Sequence, residues 1–137
     1  MPCHHATLTF GTSAAYEVRD LTREVEAVVR ESGVKDGLCA VFTPHATAAI
    51  TINENDDPNV GTDLLDALAR LVKERDGWRH DRVDDNAAAH IKAAVVGPSE
   101  TIPVKEGRLA LGTWQNVFFC EFDGPRTSRR VHVTVLW

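Results

Sequence analysis

Short runs that alternate apolar and polar residues fill the C-terminal third of the chain, and this pattern constrains the fold most. The runs cover residues 101–104, 108–111, 114–122 and 130–137. Turn residues separate them, namely Lys105-Glu106-Gly107 and Asp123-Gly124-Pro125. Such short connections join antiparallel strands. The sequence therefore predicts a sheet built mainly from hairpins.

The first two thirds of the chain mix strands with three helical segments. Strands are predicted over residues 5–10, 16–19, 38–43 and 47–53. The first helix carries Leu21, Val25, Val28 and Val29 at helical spacing, with Asp20 or Thr22 as its cap and Gly33 as its stop. The others cover residues 64–72 and 87–96, and Asn86 caps the last of them.

Alternation over residues 47–53 predicts a strand with two different faces. Ala48, Ile50 and Ile52 form an apolar face that should be buried. The opposite face carries the residues at positions 47, 49, 51 and 53 and should look into polar surroundings.

These elements predict an α+β fold. We expect one compact domain over residues 1–137, with packed antiparallel or mixed sheets and two to three helices. A chain of 137 residues is long enough to bury a core without disulfides.

Composition argues against several partners and compartments. A net charge of −5 is not the basic balance of a nucleic-acid-binding protein. No apolar run reaches the roughly 20 residues of a membrane helix, and the N-terminus lacks the pattern of a signal peptide. The three cysteines form no paired framework, so we expect a cytoplasmic protein without membrane or nucleic-acid partners.

Three of the six histidines, His45, His80 and His90, have polar neighbours that suit a binding site. Neutral imidazole is a common zinc ligand, and catalytic zinc usually has three protein ligands. Acidic residues nearby, such as Glu54 and Asp81, can serve as ligands, orienting groups or proton carriers. The alternative is three separate surface or structural histidines, because no short metal motif is present.

Distance limits any such site. If residues 45–53 are extended, their ends are about 26 Å apart at ~3.3 Å per residue. The two ends of this segment then cannot both contact the same metal ion within one subunit. Either the chain bends after His45, or the two ends serve different sites, or subunits share a site.

A basic group follows the Gly-Pro turn at residues 124–125. Arg126, Arg129 and Arg130 suit two-pronged binding of a carboxylate or phosphate, and a solvated basic turn is the alternative. Glu121, which shares a face of the predicted strand with Gln115, is costly to bury unless it is paired. We favour a structural salt bridge from Glu121 to an arginine of the last strand over a catalytic role.

Three ordered signatures resemble one known family. They are Pro44-His45-Ala46-Thr47-Ala48-Ala49-Ile50-Thr51-Ile52-Asn53-Glu54-Asn55, then Trp78-Arg79-His80-Asp81 with Asn86-Ala87-Ala88-Ala89-His90-Ile91-Lys92, then Leu111-Gly112-Thr113-Trp114-Gln115 with Glu121-Phe122-Asp123-Gly124-Pro125-Arg126. Together they resemble the YjbQ-like, or secondary thiamine-phosphate synthase, family over nearly the whole chain.

The resemblance implies a compact α+β homotrimer with a metal-binding pocket. It implies metal ligands at His45, His80 and His90. We expect Glu54 and His80 to act in catalysis. Residues expected to bind a small phosphorylated or otherwise anionic substrate are Asn53, Asn86, Gln115, Arg126 and Arg129.

The implied reaction joins a pyrimidine diphosphate to a thiazole phosphate, with loss of pyrophosphate. Imidazoles favour zinc as the divalent metal, and magnesium, which prefers oxygen ligands, is the alternative. A histidine-bound zinc suits hydrolysis better than departure of pyrophosphate. A metal-dependent hydrolase and a non-catalytic trimeric ligand- or metal-binding protein are therefore the other two hypotheses.

Overall fold

Two antiparallel sheets form the framework of the computed structural model, which describes residues 1–137. The larger sheet has the strand order β1-β8-β3-β5-β6, and the smaller has β2-β7-β4. The strands are β1 (Cys3–Thr12), β2 (Glu17–Asp20), β3 (Gly37–Phe42), β4 (Ala48–Asn53), β5 (Ser99–Lys105), β6 (Arg108–Leu109), β7 (Asn116–Glu121) and β8 (Arg126–Leu136). All pairings are antiparallel, and the predicted α+β class is confirmed. The prediction of a sheet built mainly from hairpins is wrong, because only β5 and β6 are consecutive strands that pair, and the turn at residues 123–125 joins strands of different sheets.

The three predicted helices are present as α1 (Thr22–Ser32), α2 (Asn59–Leu71) and α3 (Ala87–Val96). A short 3-10 helix, Arg79–Arg82, precedes α3. The N-cap residue of α1 is Leu21 and not the predicted Asp20 or Thr22, although the Asp20 carboxylate accepts hydrogen bonds from the Thr22 amide and hydroxyl at 2.9 and 2.6 Å. α1 ends at Gly33, whose φ of 69° is the left-handed conformation that glycine adopts at low cost.

The main core lies between the two sheets and α1. Val25, Val28 and Val29 of α1 pack with the inward valines of β8, and Phe10 meets Phe119 edge-to-face at 4.9 Å. Each such side chain stabilises the fold by about 1.5–3 kcal/mol when fully buried. The spacing of valines in β8 and in α1 thus identified both contributors to this core.

A second core covers the other face of the smaller sheet, and it corrects the expectation for β4. Ala49 is fully buried against Phe118, Leu68 and Ala93, because α2 and α3 pack there. The predicted polar surroundings exist only at the two ends of this segment, where Thr47 accepts a hydrogen bond from Arg129 and Asn53 is exposed. Alternation identifies the residues that share a face, but it does not identify what covers that face.

Most strand boundaries differ from the sequence prediction by one to four residues, and two of these differences bear on the site. β7 begins at Asn116, so Gln115 lies before the strand and does not share a face with Glu121; its Oε1 instead accepts the Gly112 amide at 2.8 Å. β8 begins at Arg126, four residues earlier than predicted, because these residues pair with β1. None of the helices is both long and apolar enough to cross a membrane.

Candidate functional site

The smaller sheet has two ends, and the predicted site residues divide between them. Ala48 pairs with Glu121 at one end, which we call the histidine end, and Asn53 pairs with Asn116 at the other, the asparagine end. Five residue steps at ~3.3 Å separate the ends by about 17 Å. His45 precedes the first end, whereas Glu54 follows the second.

His80 and His90 meet at the histidine end. The 3-10 helix carries His80 and the first turn of α3 leads to His90, and the ring centroids are 4.8 Å apart in an edge-to-face contact. The Nε2 atom of His80 lies 3.7 Å from Oδ2 of Asp84. Both rings line an open cavity of about 490 Å³, together with Trp78 and Arg79. Two of the three histidines predicted to share a site are therefore in contact in the fold.

Hydrogen bonds fix the 3-10 helix to α3 beside this cavity. Asp81 accepts the amide of Ala87 at 2.9 Å, and this carboxylate at the start of α3 also complements the helix dipole. The Asn86 carboxamide donates to Asp123 at 2.9 Å. The Asp81 side chain thus joins the 3-10 helix to the start of α3, and the Asn86 side chain joins the start of α3 to the turn after β7.

Two buried acceptors near the histidines have no protein partner. They are Oδ2 of Asp81 and Oδ1 of Asn86. Both residues line a small cavity of about 40 Å³, which Asp123 and Glu74 also line. Buried acceptors without donors are costly, so each oxygen favours a hydrogen-bond donor or cation at this position.

His45 bonds to the backbone in this structure and not to the other two histidines. It lines a second cavity, of about 340 Å³, together with His90. Its Nε2 accepts the backbone amide of Arg130 at 2.9 Å, so the neutral ring carries its proton on Nδ1. Burial lowers the pKa of His45, and the charges of Arg129 and Arg130 lower it further. In this conformation the ring is a hydrogen-bond donor and has no free lone pair for a metal.

The chain alone supplies two of the three predicted metal ligands at one place. No group of three His, Cys, Asp or Glu side chains in the structure is arranged to hold a metal ion. His80 and His90, whose rings are in contact, are the two predicted ligands that lie together. A complete centre needs further ligands, from His45 after ring rotation, from a second copy, or from a substrate.

Arg129 and Glu121 form a buried salt bridge between the two sheets. Nε of Arg129 donates to Glu121 at 2.9 Å, Nη2 donates to Thr47 at 3.0 Å, and Thr12 donates to Glu121 at 2.7 Å. The side chains are 5% and 0% exposed. The expected salt bridge is present, and the Arg129 guanidinium, predicted to bind substrate, faces the protein interior instead.

Arg126 remains accessible at the histidine end. Its Nη2 atom is 2.7 Å from Oδ2 of Asp123, the atom that also accepts from Asn86. The side chain of Arg126 is 47% exposed. One carboxylate therefore joins two of the predicted substrate-binding residues, Asn86 and Arg126, and leaves part of the guanidinium open to a ligand.

Asn53, Glu54 and Gln115 are not part of this arrangement within one chain. Asn53 accepts the Glu54 amide at 2.8 Å, and Glu54 accepts the Asp57 amide at 3.2 Å, so both side chains order the loop after β4. Gln115 precedes β7 near the same end. This separation follows the distance argument from the sequence.

Sequence reasoning did not select two residues that line the histidine cavity, Trp78 and Arg79. Arg79 is exposed and forms no salt bridge, so its charge is available to an anion. The sequence feature that could have identified Arg79 is its position directly before His80, within a signature segment.

Fold and site together define a class: a small α+β protein with a histidine-lined cavity at one end of a three-stranded sheet. The family model for UPF0047 protein YjbQ-like matches residues 6–137. The chain therefore belongs to the YjbQ-like UPF0047 family.

Relatives and solved structures agree with this assignment. UPF0047 protein YugU of Bacillus subtilis is 48% identical over 124 residues, covering 88% of this chain and 91% of the relative. A UPF0047 protein of Archaeoglobus fulgidus is 47% identical over 129 residues, covering 94% and 98%. A YbjQ-like protein of unknown function from Sulfolobus solfataricus superposes with a TM-score of 0.95 at 37% identity, covering 98% and 96% of the two chains. A YjbQ/UPF0047 protein from Clostridium acetobutylicum gives 0.92 at 44% identity, covering 96% and 99%.

Proposed function

We propose that this protein is a metal-binding enzyme that acts on a small anionic substrate in the cavity beside His80 and His90. The observation that carries the proposal is the contact between these two imidazoles, with ring centroids 4.8 Å apart, at the wall of a cavity of about 490 Å³. A cavity of this size suits a small molecule. Paired imidazoles favour zinc over magnesium.

The surrounding side chains support an anionic substrate. Arg79 lines the cavity without a salt-bridge partner, and the half-exposed Arg126 lies nearby in the hydrogen-bond network of Asn86 and Asp123. Guanidinium groups bind phosphate or carboxylate through two parallel hydrogen bonds. Their charge would offset the negative charge that accumulates on a departing phosphate.

In the metal-free protein His80 would be the proton-transfer group of this cavity, whereas as a zinc ligand its ring would be oriented by Asp84. Its Nε2 atom is 3.7 Å from the Asp84 carboxylate, a distance that closes to a hydrogen bond with a small side-chain rotation. When bound at His80 and His90, zinc would supply Lewis acidity to an oxygen atom of the substrate. His45, whose lowered pKa keeps the ring neutral, would donate its Nδ1 proton to a ligand in the adjoining cavity.

A homotrimer would complete this site. We propose that the asparagine end of one copy, with Asn53, Glu54 and Gln115, faces the histidine end of the next. This arrangement unites residues that lie about 17 Å apart within one chain. Glu54 would then be available as a general base at the cavity of its neighbour.

Zinc binding is the first test of the proposal. Protein dialysed against zinc and then washed should retain the metal in elemental analysis. His80→Ala and His90→Ala should each weaken binding by more than the roughly 10- to 100-fold that loss of an outer hydrogen-bond partner costs. His4→Ala, a change near the start of β1, is the control and should bind as wild type does. Full zinc retention in both site variants would contradict a metal centre at His80 and His90.

The reaction proposed first is thiamine-phosphate synthesis, in which the thiazole nitrogen displaces pyrophosphate from the pyrimidine diphosphate. Purified protein with zinc or magnesium should release pyrophosphate only when both substrates are present. Arg79→Gln should lower the rate, and Arg70→Gln, an arginine in α2, should not. A rate equal to that of the uncatalysed mixture would exclude this reaction.

Hydrolysis of a small phosphate or carboxylate ester is the second candidate. The observation that favours it is the imidazole pair, since histidine-bound zinc suits hydrolytic chemistry. A panel of chromogenic esters should reveal turnover that His90→Ala abolishes. Tight zinc binding without turnover in either assay would leave the non-catalytic binding protein as the remaining hypothesis.

A further inference from the structure

A second, purely polar cleft lies along α1, away from the histidines. It has a volume of about 430 Å³ and is lined by Thr22, Arg23, Glu26, Arg30, Gly107 and Arg108, without any hydrophobic residue. One wall is a face of α1, and the other is the turn that joins β5 to β6. Arg23, Glu26 and Arg30 lie on one face of the helix because they are three and seven residues apart.

The cleft concentrates unpaired positive charge on an acidic protein. Three arginines and one glutamate line it, although the chain carries a net charge of −5. None of the three arginines forms a salt bridge, while Arg75, Arg126 and Arg129 each have a carboxylate partner. No side-chain hydrogen bond within the protein occupies these guanidinium groups, so their donors are free for a ligand.

The nearby charges reinforce this asymmetry. Glu26 points its Oε2 atom to the Leu109 amide at 3.5 Å, the outer limit of a hydrogen bond. The side chain of Lys35 lies beside Gly107, and Lys105 pairs with Arg108 across the hairpin. Opposing carboxylates are Glu106 in the turn and, in a neighbouring cleft that Arg23 also lines, Asp20 and Glu24.

We propose that this cleft binds a small molecule carrying two adjacent phosphate groups. Arginines suit phosphate because each presents a planar set of donors to two oxygens. The absence of apolar lining residues disfavours a protein segment or a stacked base, both of which need apolar contact. A compact, highly charged ligand such as a diphosphate fits the charge and volume of the cleft.

Inorganic pyrophosphate is the probe for this cleft. Titration at low ionic strength, followed by calorimetry and by the amide NMR signals of Gly107 and Leu109, should show saturable binding. The double variant Arg30→Gln/Arg108→Gln should bind roughly 10-fold more weakly per arginine removed. Arg70→Gln/Lys73→Gln removes the same charge at the end of α2 and should bind as wild type does.

Three results would overturn the proposal. They are the lack of saturable shifts at Gly107 and Leu109 with millimolar pyrophosphate, equal weakening in both double variants, and tighter binding of a short single-stranded RNA than of pyrophosphate. His80→Ala/His90→Ala should leave the Gly107 shifts unchanged. The cleft and the histidine cavity are therefore tested independently of each other.

Discussion

At the scale of single residues, the buried Glu121 has the most constrained environment in the protein. Burial acts to raise its pKa, but hydrogen bonds from Arg129, Thr12 and the Asp123 amide, together with the Arg129 charge, hold the pKa below its ordinary value. Breaking a buried ion pair leaves an uncompensated charge and is strongly destabilising. The pair stabilises the contact between the sheets only while both partners are present.

We predict that Glu121→Gln lowers the free energy of unfolding by about 3–5 kcal/mol near neutral pH. A carboxyl group with a lowered pKa in the folded state stabilises the protein above its unfolded pKa, and this contribution is lost as pH falls through the folded pKa. The difference between wild type and Glu121→Gln should therefore shrink in acid. Urea unfolding at several pH values measures it. Glu100→Gln, on the larger sheet, serves as control, and an equal effect of both changes would contradict the prediction.

At the scale of secondary structure, the sequence predicted the helix ends, which depend on local chemistry, but not which elements cover β4, which depends on distant parts of the chain. Gly33 ended α1 as expected, and Asn86 directly precedes α3, because turns and helix ends are set within a few residues. Ala49 was assigned to polar surroundings because no local pattern indicates that α2 and α3 cover β4. The contact of His80 with His90 was expected from the signatures, whereas the hydrogen bond of His45 to Arg130 joins residues distant in sequence.

α3 carries an unusual residue, Lys92, whose side chain is 1% exposed. Its Nζ atom lies 4.2 Å from the centre of the Tyr16 ring, and it has no salt-bridge partner. Burial lowers the pKa of Lys92, and the charge of Glu74 only partly opposes this effect. A cation over an aromatic ring gains about 0.5–2 kcal/mol, which is less than the usual cost of burying a charge.

We predict that Lys92→Met is as stable as wild type or more stable by about 1 kcal/mol near neutral pH. Between the lowered pKa and the unfolded value of 10.5, the unfolded chain binds more protons, so wild-type stability should rise with pH. The advantage of Lys92→Met should therefore shrink toward pH values of about 10. Denaturant unfolding measures it, with the exposed Lys105→Met as control. A loss of several kcal/mol in Lys92→Met would mean that the ammonium group stabilises α3.

At the scale of the whole molecule, the division of the site residues between two ends of one sheet is the main structural fact. The histidine end holds His80, His90 and Arg126, and the asparagine end holds Asn53 and Glu54. No bending of a six-residue strand brings these groups together. Assembly of several copies is the arrangement that lets both ends act on one substrate, and the surface of the larger sheet offers an apolar face for it.

We predict that the protein sediments as a trimer, with three times the chain mass of 15.1 kDa. The face expected to be buried includes Leu38 and Phe42 of β3, which are 43% and 42% exposed in one chain and point away from the core. Apolar side chains grouped on a sheet face are typical of subunit interfaces. Phe42→Asp should therefore shift the sedimentation equilibrium toward the monomer and keep the circular dichroism spectrum.

Leu71→Asp places the same charge on α2, at a residue that is 79% exposed, and should leave the trimer intact. A wild-type monomer at micromolar concentration would contradict the assembly, and loss of the trimer in both variants would contradict this choice of interface.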